Sequence, residues 1–432
     1  MARRPAPRIL WRETAPEDAS YPPLEGTLDV DVAVIGGGFT GISTAYHLAA
    51  SGVTVAVLEA ETIGFGGSGR NVGLVNAGLW MPPDAVEAEL GAEEGAALNA
   101  RLADGPTLVF ELIERLQIEC EAVRQGTLHL AHSPSGLRDL EDRHAQQRTR
   151  GSPVRLLDAE ETARRTGSTA FHGALWDARA GTIQPLAYVQ GLARAAAAQG
   201  ARICEHSVVE STVRDGGAWR LVTRNGIVRA PRLVRATNAY GTGGGGPNPI
   251  IAAHYFQLAT APLAPAERER ILAGGEGCWD TATIMSSFRM DRAGRLILGA
   301  LGDLGGAGGS AHRGWAKRKL RHLFPRLRDL DFEHAWTGRV AMTSAHLPRV
   351  ERLGEGAVSI FGYSGRGIAP GTVFGQAAAN WATGQGTFPV VITDPVREPR
   401  AALRSAAYES GATLFHLIDS RRSAPIGPDR GT

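Results

Sequence analysis

Apart from Lys317 and Lys319, all 46 basic residues are arginine, a bias that fits a GC-rich genome and to which we assign no function. Cysteine is almost as scarce. Cys120, Cys204 and Cys278 are odd in number and far apart, which argues against a disulfide scaffold and suits a reducing compartment. No run approaches the ~18 apolar residues that span a bilayer, and no apolar stretch follows Arg3-Arg4 to make an export signal. The compartment expected is therefore the cytoplasm. A net charge of +2 gives no electrostatic case for nucleic acid or an anionic membrane. HExxH, CxxC and Walker signatures are missing, and no metal site is expected. What remains, 432 residues with 43% hydrophobic and 21% charged, is the composition of an ordinary globular enzyme with more than one domain's worth of core.

The informative stretch is 29–73. An apolar run at 29–35 leads into Gly36-Gly37-Gly38-Phe39-Thr40-Gly41, a helical pattern at 39–51 and a second apolar run at 53–59 that ends on Glu59. This is the dinucleotide-binding order of strand, glycine turn, helix, strand and acid. Gly36 makes the turn, Gly38 lets backbone approach a pyrophosphate, and Gly41 lets helix and sheet pack closely. Phe39 and Thr40 open the helix, whose free N–H groups and dipole favour phosphate. Glu59, with Ala60 beside it, suits ribose hydroxyls and repels a 2′-phosphate.

Helical patterns are expected over 84–118, 136–150, 185–200, 312–323 and 372–383, with a capping box at Asp158–Glu161. Strand-like runs lie at 122–131, 201–209, 217–223, 226–235, 254–262, 283–300, 337–343 and 356–362. Residues 1–28 read as an irregular Pro-rich arm, 241–246 as a linker and 302–309 as a flexible loop. His129 and His132 read as surface residues, and the helix carrying both lysines as a solvated face. The pattern is a nucleotide domain interrupted twice by a smaller antiparallel one: 1–85, 152–245 and 336–432 for the first, 86–151 and 246–335 for the second.

A second glycine loop at 64–73, GFGGSGRNVG, follows the acid at once. With ARICEHSVV at 201–209, LVRATNAY at 233–240 and FGYSGRGIAPGT at 361–372, it resembles the D-amino-acid-oxidase-like flavoprotein superfamily, nearest its γ-glutamylputrescine oxidase-like branch. The resemblance implies an α/β fold: a Rossmann-like, glutathione-reductase-type FAD domain with a smaller substrate domain of antiparallel sheet plus helices. It implies FAD contacts from Gly67, Ser68, Gly69, Arg70, Asn71, Gly73 and Leu74, and from Val208 through its backbone. Ala236, Thr237 and Asn238 would lie beneath the cofactor. Gly365, Arg366, Gly367 and Ile368 would place a helix N-terminus where reduced flavin carries negative charge.

The implied reaction is oxidation of a carbon–nitrogen bond in a small-molecule amine or amino-acid-type substrate, the partner the resemblance implies, with hydride passing to flavin N5, an imine product, and reoxidation by oxygen giving peroxide. The arginine that grips an α-carboxylate in glycine and D-amino-acid oxidases falls here on Val340, with Arg339 alternating to the other face. The cysteine or histidine that carries covalent flavin in relatives is missing, so FAD is expected to be non-covalent. A buried lysine that activates oxygen in sarcosine oxidases is also missing, and Arg289 is the nearest cationic substitute by position. Candidate substrate-site residues are Trp80, Tyr255, Phe256, Arg289, Trp336 and Ser364, with Arg289 or Arg366 to receive a distal carboxylate; Tyr255 and Phe256 alternate, so at most one faces the site. Two other readings stay open: a flavin dehydrogenase acting on a biosynthetic intermediate with another acceptor, and a non-catalytic flavoprotein subunit.

Overall fold

The computed structural model describes residues 9–16, 20–241 and 249–419; most of the tract read as a linker therefore lies outside the described residues. Strands Val32–Ile35 and Val55–Leu58 are buried at every position, as apolar runs in a parallel sheet covered on both faces must be. They sit in a seven-stranded sheet ordered Ile392–Thr393, Arg349–Gly354, Ala357–Phe361, Arg232–Arg235, Val32–Ile35, Val55–Leu58, Arg202–Cys204. The strands from Ala357–Phe361 to Arg202–Cys204 all pair in parallel.

Helix Phe39–Ala50 packs against both Pro185–Ala198 and Ile368–Thr383. Its crossing with the latter is close because Gly371 and Gly375 meet it: a Cβ on Gly371 would stand 3.2 Å from Phe39 Cβ, and one on Gly375 2.5 Å from Ser43 Cβ. Helix Ile368–Thr383 begins four residues before the expected 372. Pro370 falls in its first turn, where a missing N–H costs nothing.

The expected strand 226–235 divides between sheets, and the end of the arm read as irregular, Gly26–Asp29, is itself a strand. Gly26–Asp29 and Gly226–Ala230 pair in a four-stranded sheet with Ala218–Val222 and Ser211–Asp215. Their continuations, Val32–Ile35 and Arg232–Arg235, enter the seven-stranded sheet. Pro231, which has no N–H to give a ladder, marks one break.

The third sheet has eight strands in the order Phe332–Met342, Ile251–Pro262, Arg295–Leu301, Ser286–Met290, Gly277–Asp280, Thr127–Leu130, Ala174–Asp177, Val154–Leu157. The single strand expected over 283–300 is a hairpin. Asp291 accepts the Arg295 N–H at 2.7 Å and Gly294 takes φ +83°, chemistry that makes a tight turn. Strands Val154–Leu157 and Ala174–Asp177, which an expected boundary at 152 assigned to the nucleotide domain, lie in this sheet. Helix Ala401–Ile418 packs on strand Ile251–Pro262 and helix Gly309–Leu323.

Alternation gives this sheet two distinct faces. Phe256, Leu258, Phe288 and Leu298 face the helices with Trp315. Trp336, Gln257, Tyr255 and Arg289 share the opposite face, by the pairings Gln257 with Trp336, Tyr255 with Gly338 and Arg289 with Ile297.

Candidate functional site: converging loops of a cofactor cradle

Gly36 turns the chain off its strand at φ +106°, and a Cβ there would sit 2.9 Å from the Ala236 carbonyl oxygen. A Cβ on Gly41 would overlap the Gly36 carbonyl oxygen, and one on Gly38 would lie 2.9 Å from Ser68 Oγ. Both glycines are thus fixed by close approach. Ser68, on the short turn Gly67–Gly69, accepts the Phe39 N–H at 3.0 Å, which brings the second glycine loop to the N-terminus of helix Phe39–Ala50. Thr40 meets the Tyr363 hydroxyl at 2.7 Å and so ties that same first turn to the 362–367 loop. Asn238 accepts the Gly362 N–H at 3.0 Å, joining the 236–238 segment to it.

The Glu59 carboxylate accepts from Gly37 N at 2.6 Å and Glu61 N at 3.0 Å. Burial pushes its carboxyl above the usual range, while those two N–H groups pull it down. Ala60 follows directly. The segment leading to Val208 lies alongside: Ser207 N donates to the Glu59 carbonyl at 2.8 Å and His206 N to the Glu61 carbonyl at 2.9 Å.

The 67–73 loop is held from behind. Trp336 Nε1 donates to the Arg70 carbonyl at 2.9 Å, Trp11 Nε1 to the Asn71 carbonyl at 2.8 Å, and Arg289 Nη1 to the Gly73 carbonyl at 3.4 Å. Asn71 closes the loop on itself through Gly67, Ser68 and Gly73. Leu74 pairs with Thr182 and packs on Gly277. The N-terminal arm is therefore not irregular throughout. Residues Leu10–Thr14 form a helix with Leu10 and Trp11 fully buried.

The substrate candidates separate. Tyr255 bonds Ser287 Oγ at 2.9 Å and the Gly299 carbonyl at 3.2 Å on the face toward the loop. Phe256 does not belong with it; the alternation of the strand buries it against His312, Trp315 and His416 on the helix side. Arg289 is 1% exposed, donates to the Ile183 carbonyl as well as to Gly73, and is pushed down to about 10 by burial. It is a clamp on the loop. Ser364, at φ +49°, donates its N–H to the Ala341 carbonyl at 3.0 Å and shapes the 362–367 turn. Trp80 is exposed beside His346. Val340 pairs with Ala253, on the face of Gly338 and Trp336, and Arg339 is exposed over the Tyr240 ring.

Sequence reasoning missed two features. Gln257 is 1% exposed, and its Oε1 has no partner among the described residues. A cavity of about 210 Å³ is lined by His129, Trp279, Arg143, Arg179, Asn76 and Arg366, among others. His129 is buried, with its ring 3.3 Å from that of Trp279, and not on the surface as expected. The strand Thr127–Leu130 that carries it is covered on both faces, which a four-residue run does not reveal. Lys319 is likewise drawn inward by the buried Asp280 at 3.0 Å, while Lys317 stays in solvent.

The cradle fits FAD by its own geometry: two helix N-termini in contact, glycines where side chains would collide, and a half-buried carboxylate fixed by backbone N–H groups. Among the described residues no helix is long and apolar enough to cross a membrane, and no cluster suits a metal ion. A family model, FAD dependent oxidoreductase, matches residues 31–381. A probable oxidoreductase OrdL of Rhizobium meliloti is 32% identical over 389 residues, 88% of this chain and 90% of its own. The gamma-glutamylputrescine oxidoreductase of Escherichia coli is 30% identical over 83% of this chain and 84% of its own. Glycine oxidase from Geobacillus kaustophilus superposes with a TM-score of 0.69 at 24% identity, covering 83% of this chain and 96% of its own. The chain belongs to the DAO family of FAD-dependent oxidoreductases.

Proposed function

We propose that this protein oxidises the carbon–nitrogen bond of a small amine or amino-acid-type substrate to an imine, using non-covalent FAD that oxygen reoxidises to give peroxide. The observation that carries it is the meeting of three loops and two helix N-termini through Ser68–Phe39, Thr40–Tyr363 and Asn238–Gly362. The seven-stranded sheet and its helices would form the cofactor unit, and the eight-stranded sheet the substrate unit.

When bound, FAD supplies the acceptor for the hydride. Phe39, Thr40 and Gly41 would hold its diphosphate at a helix N-terminus, Glu59 its ribose, and Gly365 to Ile368 would offer a second N-terminus to developing negative charge. The chain's own task is to orient the C–H bond and keep the amine neutral. The sheet face toward the loop is suited to it: Tyr255, Gln257 and Trp336 are uncharged, and the orphan Gln257 Oε1 can accept an amine N–H. Trp336 and Trp11 exclude water from behind the 67–73 loop.

A dehydrogenase with a different acceptor is the second reading. It is favoured by the position of both lysines on helix Gly309–Leu323, where they pair with Asp331 and Asp280, away from the cofactor loops. The test is anaerobic. Purified protein loaded with FAD is mixed with a panel of amines, and bleaching of the flavin band is followed by readmission of air. Bleaching with rapid recolouring and peroxide is expected. Slow recolouring in air, with fast recolouring by an artificial acceptor, selects the dehydrogenase. No bleaching by any amine, or no FAD uptake, overturns the proposal.

A further inference from the structure

The cavity beside the cofactor loops is not built like the cradle. None of the 36–73 glycines lines it; Asn76, Ala77 and Gly78, just past the 67–73 loop, do, together with Arg366. One wall is mostly apolar, made by Ala96, Ala100 and Ala103 of helix Ala92–Ala103 with Leu79 and Met81, and Asn99 of the same helix turns its amide to Glu87. The other carries four arginines, Arg143, Arg150, Arg179 and Arg366, against the carboxylates Glu87 and Asp177.

Three of those cations are matched. Arg179 grips Asp177 with two bonds, at 2.9 and 2.7 Å. Arg150 lies 2.7 Å from both Asp84 and Glu87. Arg143 pairs with Asp139 at 2.9 Å. Arg366 has no carboxylate partner among the described residues: it lies over the Trp279 ring at 4.6 Å and donates once, to the Ala77 carbonyl at 2.8 Å. A guanidinium carries five N–H donors, and a sheltered cation without a counter-charge is costly. His129, stacked on the same Trp279, is held neutral by burial and adds no charge.

We propose that this cavity receives the far end of the amine substrate, that this end is a carboxylate several bonds from the nitrogen, and that Arg366 is its counter-ion. The helix wall would cover the alkyl chain between the two ends. The inference rests on the amine-oxidoreductase reading and deepens it. It also separates two substrate classes. On the sheet face of Trp336, Gly338 and Val340, a carboxylate next to the oxidised bond meets Arg289, whose guanidinium is already given to the Gly73 and Ile183 carbonyls, whereas a distal one meets Arg366.

The probes are 5-aminopentanoate and pentylamine, which differ by a terminal carboxylate in place of a methyl group. In anaerobic bleaching of the FAD-loaded protein, 5-aminopentanoate is expected to half-saturate at a concentration about tenfold or more below pentylamine. Arg366→Gln brings the two within about threefold, and Arg366→Lys restores part of the preference. Equal half-saturation in the wild type, or a preference that survives Arg366→Gln, overturns the proposal. Calorimetric titration of the FAD-loaded protein with glutarate reads the cavity without turnover. Wild type should bind glutarate and not 1,5-pentanediol; binding of both equally, or of neither, overturns the inference even if Arg366→Gln fails to fold. If no amine bleaches while glutarate still binds, the catalytic reading has failed and the anion site stands.

Discussion

At the scale of single residues, the clamp on the 67–73 loop sets the sharpest expectations. Three side chains from three separate elements each donate to one of its carbonyls. Trp11→Phe keeps an aromatic ring in place but orphans the Asn71 carbonyl, a loss of about 1–2 kcal/mol. If the clamp shapes the cofactor site, the Kd for FAD rises about 5- to 30-fold in a fluorescence titration. An unchanged Kd would show that Trp336, Arg289 and Asn71 hold the loop without Trp11. Glu59→Gln removes the charge while keeping the shape, and FAD affinity should fall about tenfold or more; retention of full affinity excludes the ribose role. Glu59 was legible in the sequence because its place after the glycine turn is fixed by the fingerprint. Trp11 was not, since its partner lies 60 residues away and no periodicity links them. Gln257 was hidden for the opposite reason: nothing in a strand sequence marks an amide that ends up without a partner.

At the scale of elements, the crossing at Gly371 and Gly375 is the tightest joint in the cradle. Gly375→Leu drives a side chain into Ser43 and the Thr40 carbonyl, and should destabilise by about 3 kcal/mol in chemical denaturation. A shift below about 0.5 kcal/mol would mean the helices can slide apart. The C-terminal helix Ala401–Ile418 carries a different vulnerability. His416 is fully buried, its Nδ1 is 2.7 Å from His312 Nδ1, and its ring stacks 4.2 Å from Trp315. Burial, with His312, Arg318 and Lys319 nearby, pushes it down to about 3. Because the folded value lies below the unfolded one, the unfolded state takes up the proton first. The stability gained by keeping the ring neutral is complete above pH 6.5 and is lost as pH falls toward 3, on the order of 2 kcal/mol at pH 5. Hydrogen exchange at pH 5 should then open 401–418 before helix Phe39–Ala50, and His416→Phe should abolish the difference. Equal protection at pH 5 and pH 7.5, after correction for intrinsic rates, would refute it. The fingerprint strands and helix were legible because the glycine turn separates strand from helix and Glu59 closes the second strand at a fixed distance. The 291–294 turn was not, since Asp291 and Gly294 interrupt one apolar pattern too briefly to break it. The C-terminal helix also escaped notice: Leu403, Leu414, Leu417 and Ile418 face outward, so its apolar residues do not mark its buried side.

At the scale of the whole molecule, the cradle is assembled from four distant stretches, so FAD should act as a cross-brace. At a hundredfold excess over its Kd it would add about 2.7 kcal/mol, and the Tm should rise by several degrees with FAD but not with NAD. An equal response to both would undo the cofactor assignment made from the 64–73 and 362–367 loops. Fold class and cofactor were readable from sequence because glycine is demanded by close backbone approach. The proposed substrate side was less so: Arg366 could be named for a distal carboxylate, but the cavity wall draws on residues from 76 to 366 that meet only after three sheets have formed. The same long-range assembly bears on biosynthesis. Ser43 Oγ donates to the Thr372 carbonyl, 329 residues later, and strand Val32–Ile35 neighbours Arg232–Arg235, which in turn needs Ala357–Phe361. A growing polypeptide thus exposes its phosphate-binding turn long before the cover for it has been translated, and N-terminal fragments should capture no vitamin-derived cofactor on the ribosome. Loading becomes an event in the life of the released chain, and riboflavin-starved cells should hold this protein as an apo form that proteases clear faster than the loaded one.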